Sequence, residues 1–156
     1  MASSFKPVCQ PGSPQPRVAH FTPDPSGTFV AGDLVYFDTA DNYIKECGAD
    51  PSLILGVARC SVADALALNA SGLVPVDILE PDQVWNMGSA TTPSDATLLR
   101  SYGVVQTSGV WLVDTSDTSN TRLTTIGYSP RTGQQGPEFY AVRFLAANLQ
   151  GDGVAS

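Results

Sequence analysis

Residues 32–79 read GDLVYFDTADNYIKECGADPSLILGVARCSVADALALNASGLVPVDIL. Three short apolar runs lie in this stretch, at residues 34–37, 53–58 and 73–79, and polar or small residues separate them. The runs are rich in Val, Ile, Leu, Tyr and Phe and are bounded by Gly, Asp and Pro, a pattern more typical of strands than of helices. The stretch therefore predicts neighbouring strands of a β-sheet.

The chain after this stretch repeats the pattern. Further strands are predicted at residues 43–47, 101–106, 110–114, 122–128 and 138–149, with a Gly-containing hairpin turn at residues 107–109. Residues 80–97 are interpreted mostly as a connection in which Val84 and Trp85 pack, and Pro75 is expected to place its strand at an edge or to delay its start. The expected fold is all-β, a small β-barrel or β-sandwich.

One short helix is predicted over residues 61–71. Ser61 and Asp64 approximate a capping box, good helix formers follow, and Gly72 is expected to mark the end. At most one short helix is therefore expected beside the strands.

The N-terminus has a different composition. Six of the twelve prolines fall at positions 7, 11, 14, 16, 23 and 25. Proline fixes its own φ and favours an extended residue before it, so residues 1–27 are predicted to form a stiff, extended N-terminal arm without regular ladder bonding. A β-domain at residues 28–149 and a flexible tail at residues 150–156 follow.

The charge restricts the classes of partner. The 156 residues form one domain by length, and the net charge is −7. Nucleic acids and anionic membranes attract Lys and Arg, so neither is expected as a partner. No run is long enough to span a membrane and no signal-peptide core begins the chain, so the protein is expected to be made in a cytosol.

The sequence predicts no nucleophilic or thiolate-based site. Cys9, Cys47 and Cys60 are odd in number and form no CxxC, which argues against a disulfide framework or a zinc site, although a bond between Cys47 and Cys60 stays open. His20 is the single histidine, and a histidine alone on an extended arm is a poor base for a catalytic triad.

Acidic residues offer two further possibilities. Asp114 and Asp117 lie in a polar loop that could present oxygens to calcium, but their spacing differs from that of the helix-flanked calcium loop, and a solvated hairpin tip is favoured. Asp33 and Asp77 stand in apolar surroundings and fit turn or strand-edge roles, while a distant carboxylate pair for glycoside hydrolysis stays open. No catalytic residue, metal or cofactor is expected, and the chain is not expected to be an enzyme.

A series of motifs in the opening stretch resembles a known family. GDLV at residues 32–35 is followed by Ile44 with Cys47, by ILGVA at 54–58 and by GLVPVDI at 72–78. This order resembles the capsid decoration (cement) proteins of tailed bacteriophages, in which an extended N-terminal arm precedes a compact β-domain. The resemblance is confined to residues 32–79.

The resemblance implies a structural virion protein on the capsid exterior, made in the host cytoplasm. Its partners would be the major capsid protein and neighbouring copies of itself, with a trimer consistent with the family. The arm residues expected to contact these partners are Phe5, Lys6, Val8, Arg17, Val18 and Phe21. Removing residues 1–27 is expected to abolish shell binding while the body stays folded.

Two other functions stay open. A tail or fibre component that binds host glycan or protein would need exposed aromatic side chains gathered at one groove, and the candidates are Trp85, Trp111, Tyr102 and Tyr128. A carboxylate-based hydrolase would need a deep pocket that holds two acids.

Overall fold

A computed structural model describes residues 6–129 and 139–151. Within these residues the chain forms eleven strands, one α-helix and two short 3₁₀ turns. The strands are β1 (Val8–Cys9), β2 (Val18–Phe21), β3 (Leu34–Asp38), β4 (Tyr43–Glu46), β5 (Gly56–Ala58), β6 (Val74–Ile78), β7 (Trp85–Gly88), β8 (Ser101–Thr107), β9 (Val110–Asp114), β10 (Leu123–Tyr128) and β11 (Phe139–Phe144). The helix α1 is Val62–Leu68, and the 3₁₀ turns are Asp95–Thr97 and Ala146–Asn148.

The strands form two curled antiparallel sheets. One has six strands in the order β1-β7-β11-β10-β8-β9, and the other has five in the order β2-β6-β5-β3-β4. Beyond the regular ladders, two isolated parallel bridges join Ser89, just after β7, to Val113 of β9 and Pro23, just after β2, to Ile44 of β4. Each sheet therefore curls far enough for strands near its two edges to meet. The prediction of an all-β fold, a small β-barrel or β-sandwich with at most one short helix, is confirmed.

Two apolar cores follow from alternation along the five-stranded sheet. In β3, Leu34 and Tyr36 contribute to one core, whereas Val35 and Phe37 contribute to the other, as the period of two along a strand requires. The first core lies between the sheets and contains Trp111 and Tyr140, both fully buried. The second core lies inside the curl of the five-stranded sheet, and Ala65 of α1 covers it.

The helix begins where it is predicted and ends earlier. The Ser61 hydroxyl accepts from the Asp64 N–H at 3.1 Å, which satisfies one of the free donors of the first turn. Helix α1 ends at Leu68 because the Asn69 side chain bonds both the N–H and the carbonyl of Leu73, at 3.0 and 3.1 Å, and turns the chain into β6.

The interpretation of residues 80–97 as connection is wrong at β7. All four residues of β7 are buried, and the strand pairs with β1 on one side and β11 on the other. The local sequence, WNMG, has neither branched residues nor polar alternation, so its strand conformation comes from its two neighbours.

Pro75 does not mark an edge. Strand β6 lies between β2 and β5, but β5 ends at Ala58, opposite Val76. The Arg59 N–H still donates to the Pro75 carbonyl at 2.9 Å. A return bond from an N–H at position 75 would reach residue 59, which lies past the end of β5. An interior strand therefore accommodates this proline without losing a ladder bond.

The last predicted strand and the tail also differ from expectation. Strand β11 ends at Phe144 and the Ala146–Asn148 turn follows, while Glu138 lies outside the described residues. Gln150, assigned to the flexible tail, exchanges side-chain hydrogen bonds with both backbone groups of Phe37, each at 2.8 Å. Residues 152–156 lie outside the described part of the chain. Among the residues that the structure describes, no helix is long and apolar enough to cross a membrane.

Candidate partner-binding surface

The N-terminal arm is part of both sheets. Strand β1 pairs with β7, and all four residues of β2 pair with β6. Beyond β2, the Thr22 carbonyl accepts from the Ile44 N–H at 3.0 Å, and the Asp24 N–H donates to the Ile44 carbonyl at 3.1 Å. The expectation of an arm without ladder bonding is therefore wrong. The prolines fall outside β1 and β2, so none of them removes a donor that these ladders need.

Lys6 fastens the start of the described arm to the body. Its ammonium group forms an ion pair with the buried Asp33 carboxylate, which also accepts from the Val30 N–H at 2.9 Å. The Lys6 stem packs over Gly32, where a Cβ would lie 2.6 Å from Lys6 Cδ and φ is +92°. The positive charge of Lys6 is therefore paired with a carboxylate of the same chain.

Arg17 and Phe21 also contact the body. Arg17 donates to the Gly151 carbonyl at 2.7 Å and to Glu80 at 3.2 Å. Phe21 packs in the second core with its ring centroid 6.0 Å from that of Phe37. Of the six arm residues predicted to bind a partner, these two and Lys6 make their contacts inside the molecule, and Phe5 lies outside the described residues.

Val8 and Val18 are the remaining predicted residues, and they stay exposed. Their side chains are 48% and 40% accessible, on the outward side of β1 and β2. Apolar side chains of this exposure are ordinary when scattered, and they become informative when they flank a cavity.

A cavity of about 340 Å³ lies against the arm, and Val8 is part of its lining. The buried Trp85 and Val57 line it, together with Val8 and Cys9 of β1. The Arg59–Asp77 ion pair, 2.8 Å between Nε and Oδ1, contributes the charged part of the lining, and Val18 pairs with Asp77 across the β2–β6 ladder. We call Val8, Val18 and this cavity the arm surface.

The Cys9 thiol in this lining is not an activated nucleophile. Burial raises its pKa above the ordinary value, and the nearby Asp77 charge raises it further, so the neutral thiol predominates near pH 7. Burial also raises the pKa of Cys47 and Cys60. All three cysteines are free, and Cys47 belongs to the first core whereas Cys60 belongs to the second. The open possibility of a bond between Cys47 and Cys60 is therefore not realised.

The carboxylates of Asp114 and Asp117 accept hydrogen bonds from backbone N–H groups of the polar loop that follows β9. Asp114 accepts from the Ser116 N–H at 3.0 Å, and Asp117 accepts from the N–H groups of Ser119 and Asn120 at 3.0 and 2.9 Å. Within residues 6–129 and 139–151, no group of three or more His, Cys, Asp or Glu side chains is arranged to hold a metal ion. These bonds agree with a polar loop, but the prediction of a hairpin tip is wrong, because β9 and β10 pair with β8 on its two opposite sides and not with each other.

The requirements of the two alternative functions are not met by the described cavity and surface. Trp85, Trp111 and Tyr102 are at most 4% exposed, so they form no glycan-binding groove, and the Tyr128 hydroxyl donates to Asp95 at 2.7 Å. The cavity is lined by a single acid, Asp77, rather than by the two acids of a hydrolase.

The arm surface comes from separate parts of the chain, so no local motif indicates it. The one signal in the sequence is the recurrence of Val8 and Val18 along a proline-rich segment. No family model matches this chain, and the searches of curated proteins and of solved structures gave no match either. Any functional argument therefore depends on the residues themselves.

Proposed function

We propose that this protein is a structural, non-enzymatic component of a tailed-bacteriophage virion. In this proposal it binds the outer surface of the capsid and stabilises the shell by bridging neighbouring capsomers. Its partners are the major capsid protein and neighbouring copies of itself. The motif series at residues 32–79 suggests this class of protein, and the low share of charged residues, 15%, suits a surface that contacts other proteins.

The observation that carries the proposal is the exposure of Val8 and Val18. Lys6, Arg17 and Phe21 fix the arm to the body, so the two valines are held in a defined position rather than on a mobile tail. A partner side chain that enters the cavity beside Val8 would meet Trp85 and Val57. A rigid apolar contact of this kind requires little ordering on binding, which favours affinity.

The expected energy of each contact is modest. Full burial of a valine side chain contributes about 1.5–3 kcal/mol, so covering a half-exposed valine contributes about 1 kcal/mol. Two such residues change a single-site affinity by roughly tenfold or more. Because a shell presents many equivalent sites and a bridging protein engages more than one of them, avidity increases the effect.

The test uses point variants rather than a deletion. Removing residues 1–27 also removes β1 and β2 from the two sheets, so we expect this deletion to destabilise the body as well as to remove the arm. The informative variant is Val8→Ser with Val18→Ser, and Val30→Ser is its matched control. Val30 is similarly exposed, at 47%, but it lies outside the arm.

The measurement is quantitative mass spectrometry of purified shells that lack the protein, incubated with each variant and then separated from unbound protein. We expect the native protein and Val30→Ser to reach a copy number comparable to that of the major shell protein, and the double variant to bind at least tenfold less tightly. Equal binding of the native protein, Val30→Ser and the double variant would show that the arm surface is not the shell-binding site. A native copy number of only a few per particle points to a tail or neck position, and no binding overturns the proposal.

A further inference from the structure

Two carboxyl groups meet on the opposite side of β8 from its core face, across Gly103. A Cβ at Gly103 would lie 2.5 Å from Asp50 Oδ1 and 2.7 Å from Asp117 Oδ2, so both oxygens border one space the size of a methyl group. The two oxygens therefore lie close enough to repel each other when both carboxyl groups are ionised. A proton on one of the two removes this repulsion.

Backbone bonds hold both carboxyl groups against β8. The Asp50 N–H donates to the Val104 carbonyl at 2.8 Å, and the Val104 N–H donates back to Asp50 Oδ1 at 2.9 Å. The Gly103 N–H donates to the Asp117 carbonyl at 2.9 Å. The carboxyl groups cannot separate while these bonds persist, so ionisation of both would place two like charges in contact.

The pKa values of the two carboxyl groups shift in opposite directions. Burial raises the pKa of the Asp50 carboxyl, and the neighbouring Asp117 raises it further, against the opposing N–H of Val104. The N–H groups of Asn120 and Ser119 lower the pKa of the Asp117 carboxyl. As the pH rises, Asp117 therefore loses its proton before Asp50 does.

Few other charges face the pair. Arg122, directly before β10, donates to the Asp50 carbonyl at 3.1 Å, and its positive charge acts to lower the Asp50 pKa. Asp114 of β9 directs its carboxylate to its own loop, and Glu46 of β4 accepts from a glutamine of β8 at 2.7 Å. Gly103 and Val104 bring no ionisable side chain.

We propose that Asp50 and Asp117 form a proton-dependent latch that holds the β9–β10 connection, residues 115–122, against β8. With one proton the latch is closed, and with none the connection detaches from Gly103. The loop surface at this end of the molecule then changes with pH, independently of the arm surface.

The sign of the pH dependence follows from the raised pKa of Asp50. A group whose pKa is higher in the closed state than in the open state stabilises the closed state at low pH, and this stabilisation is lost as the pH rises through the closed-state pKa. Between the ordinary aspartate value of about 3.9 and the raised value of Asp50, the opening constant grows by up to about tenfold per pH unit.

Amide hydrogen exchange measures the latch directly. The reporting amides are those of Gly103 and Asn120, which donate to Asp117, and the reference amide is that of Ile78, which donates to Arg17 at 3.0 Å in the other sheet. From about pH 4 to about pH 8, corrected protection at Gly103 should fall, by up to about tenfold for each unit by which the Asp50 pKa is raised, while protection at Ile78 stays constant. Constant protection at Gly103 overturns the latch.

Variants separate protonation of Asp50 from general loop stability. Asp50→Asn keeps the acceptor for Val104 and carries no charge at any pH, so protection should become independent of pH. Asp114→Asn lies at the end of β9, directly before the same connection, and should keep the native pH dependence. If Asp50→Asn retains the native dependence, the proposal fails. Carbon-13 titration of the native carboxyl groups needs no variant, and titration of Asp50 at or below the ordinary aspartate value also overturns it.

Discussion

Replacing Lys6 by methionine tests how the N-terminal arm is attached. The Lys6 side chain is 29% exposed and its partner Asp33 is 5% exposed. Methionine keeps the apolar packing over Gly32 but removes the ammonium group. The Asp33 carboxylate then loses its ion pair and keeps the hydrogen bond from the Val30 N–H at 2.9 Å. Removing one partner of a fully buried pair costs about 3–5 kcal/mol, and the partial exposure of Lys6 reduces this to about 2 kcal/mol.

Urea unfolding followed by tryptophan fluorescence measures this loss, because Trp85 and Trp111 are both buried in the first core. A loss of about 2 kcal/mol corresponds to a decrease in Tm of about 4–8 °C for a domain of this size. A double-mutant cycle with Asp33→Asn should give a coupling energy of at least about 1 kcal/mol. Arg59→Met is the control.

Arg59 is 54% exposed in its pair with Asp77, so its replacement should change stability by about 0.5 kcal/mol or less. The reasoning is refuted if Lys6→Met stays within about 0.5 kcal/mol of the native protein, or if the cycle shows no coupling. In that case the β1 and β2 ladders alone hold the arm.

Two further predictions concern packing and thiol access. A Cβ at Gly56 would lie 2.0 Å from a backbone carbonyl of β6, so Gly56→Ala should lose about 3 kcal/mol or more, whereas Gly48→Ala, with no atom within 4 Å, should be near neutral in thermal unfolding. Similar Tm values for the two variants would contradict this packing. Cys9 should react with a maleimide in the native protein well before Cys47, because Cys47 is 1% exposed and burial raises its pKa further. Intact-protein and peptide mass spectrometry gives the order, and equal rates would show that the first core opens readily.

The elements that the sequence predicts correctly are those with local causes. Strand β3 alternates between two cores, and its apolar and aromatic residues predict a strand without reference to any partner. The β8–β9 hairpin depends on its turn, where Ser108 and Gly109 both have positive φ, at +51° and +77°. The Ser61 cap predicts the start of α1 in the same way.

The elements that the sequence misses depend on distant partners. Strand β7 has no strand pattern of its own and is a strand because β1 and β11 flank it. The proline-rich composition of the arm favours an unpaired extended chain, yet β2 lies between prolines and pairs with β6 more than fifty residues later. Composition averaged over the arm conceals the paired residues within it.

The sequence by itself determined the all-β class, the position of the helix and the main hairpin, because periodicity, caps and turn residues act over a few neighbouring positions. Only the tertiary structure decided that the arm joins both sheets, that Val8 lines a cavity, and that Asp50 approaches Asp117 across Gly103. These contacts join residues far apart in the chain. Their stability depends on how two curled sheets pack together, and no local pattern encodes that packing.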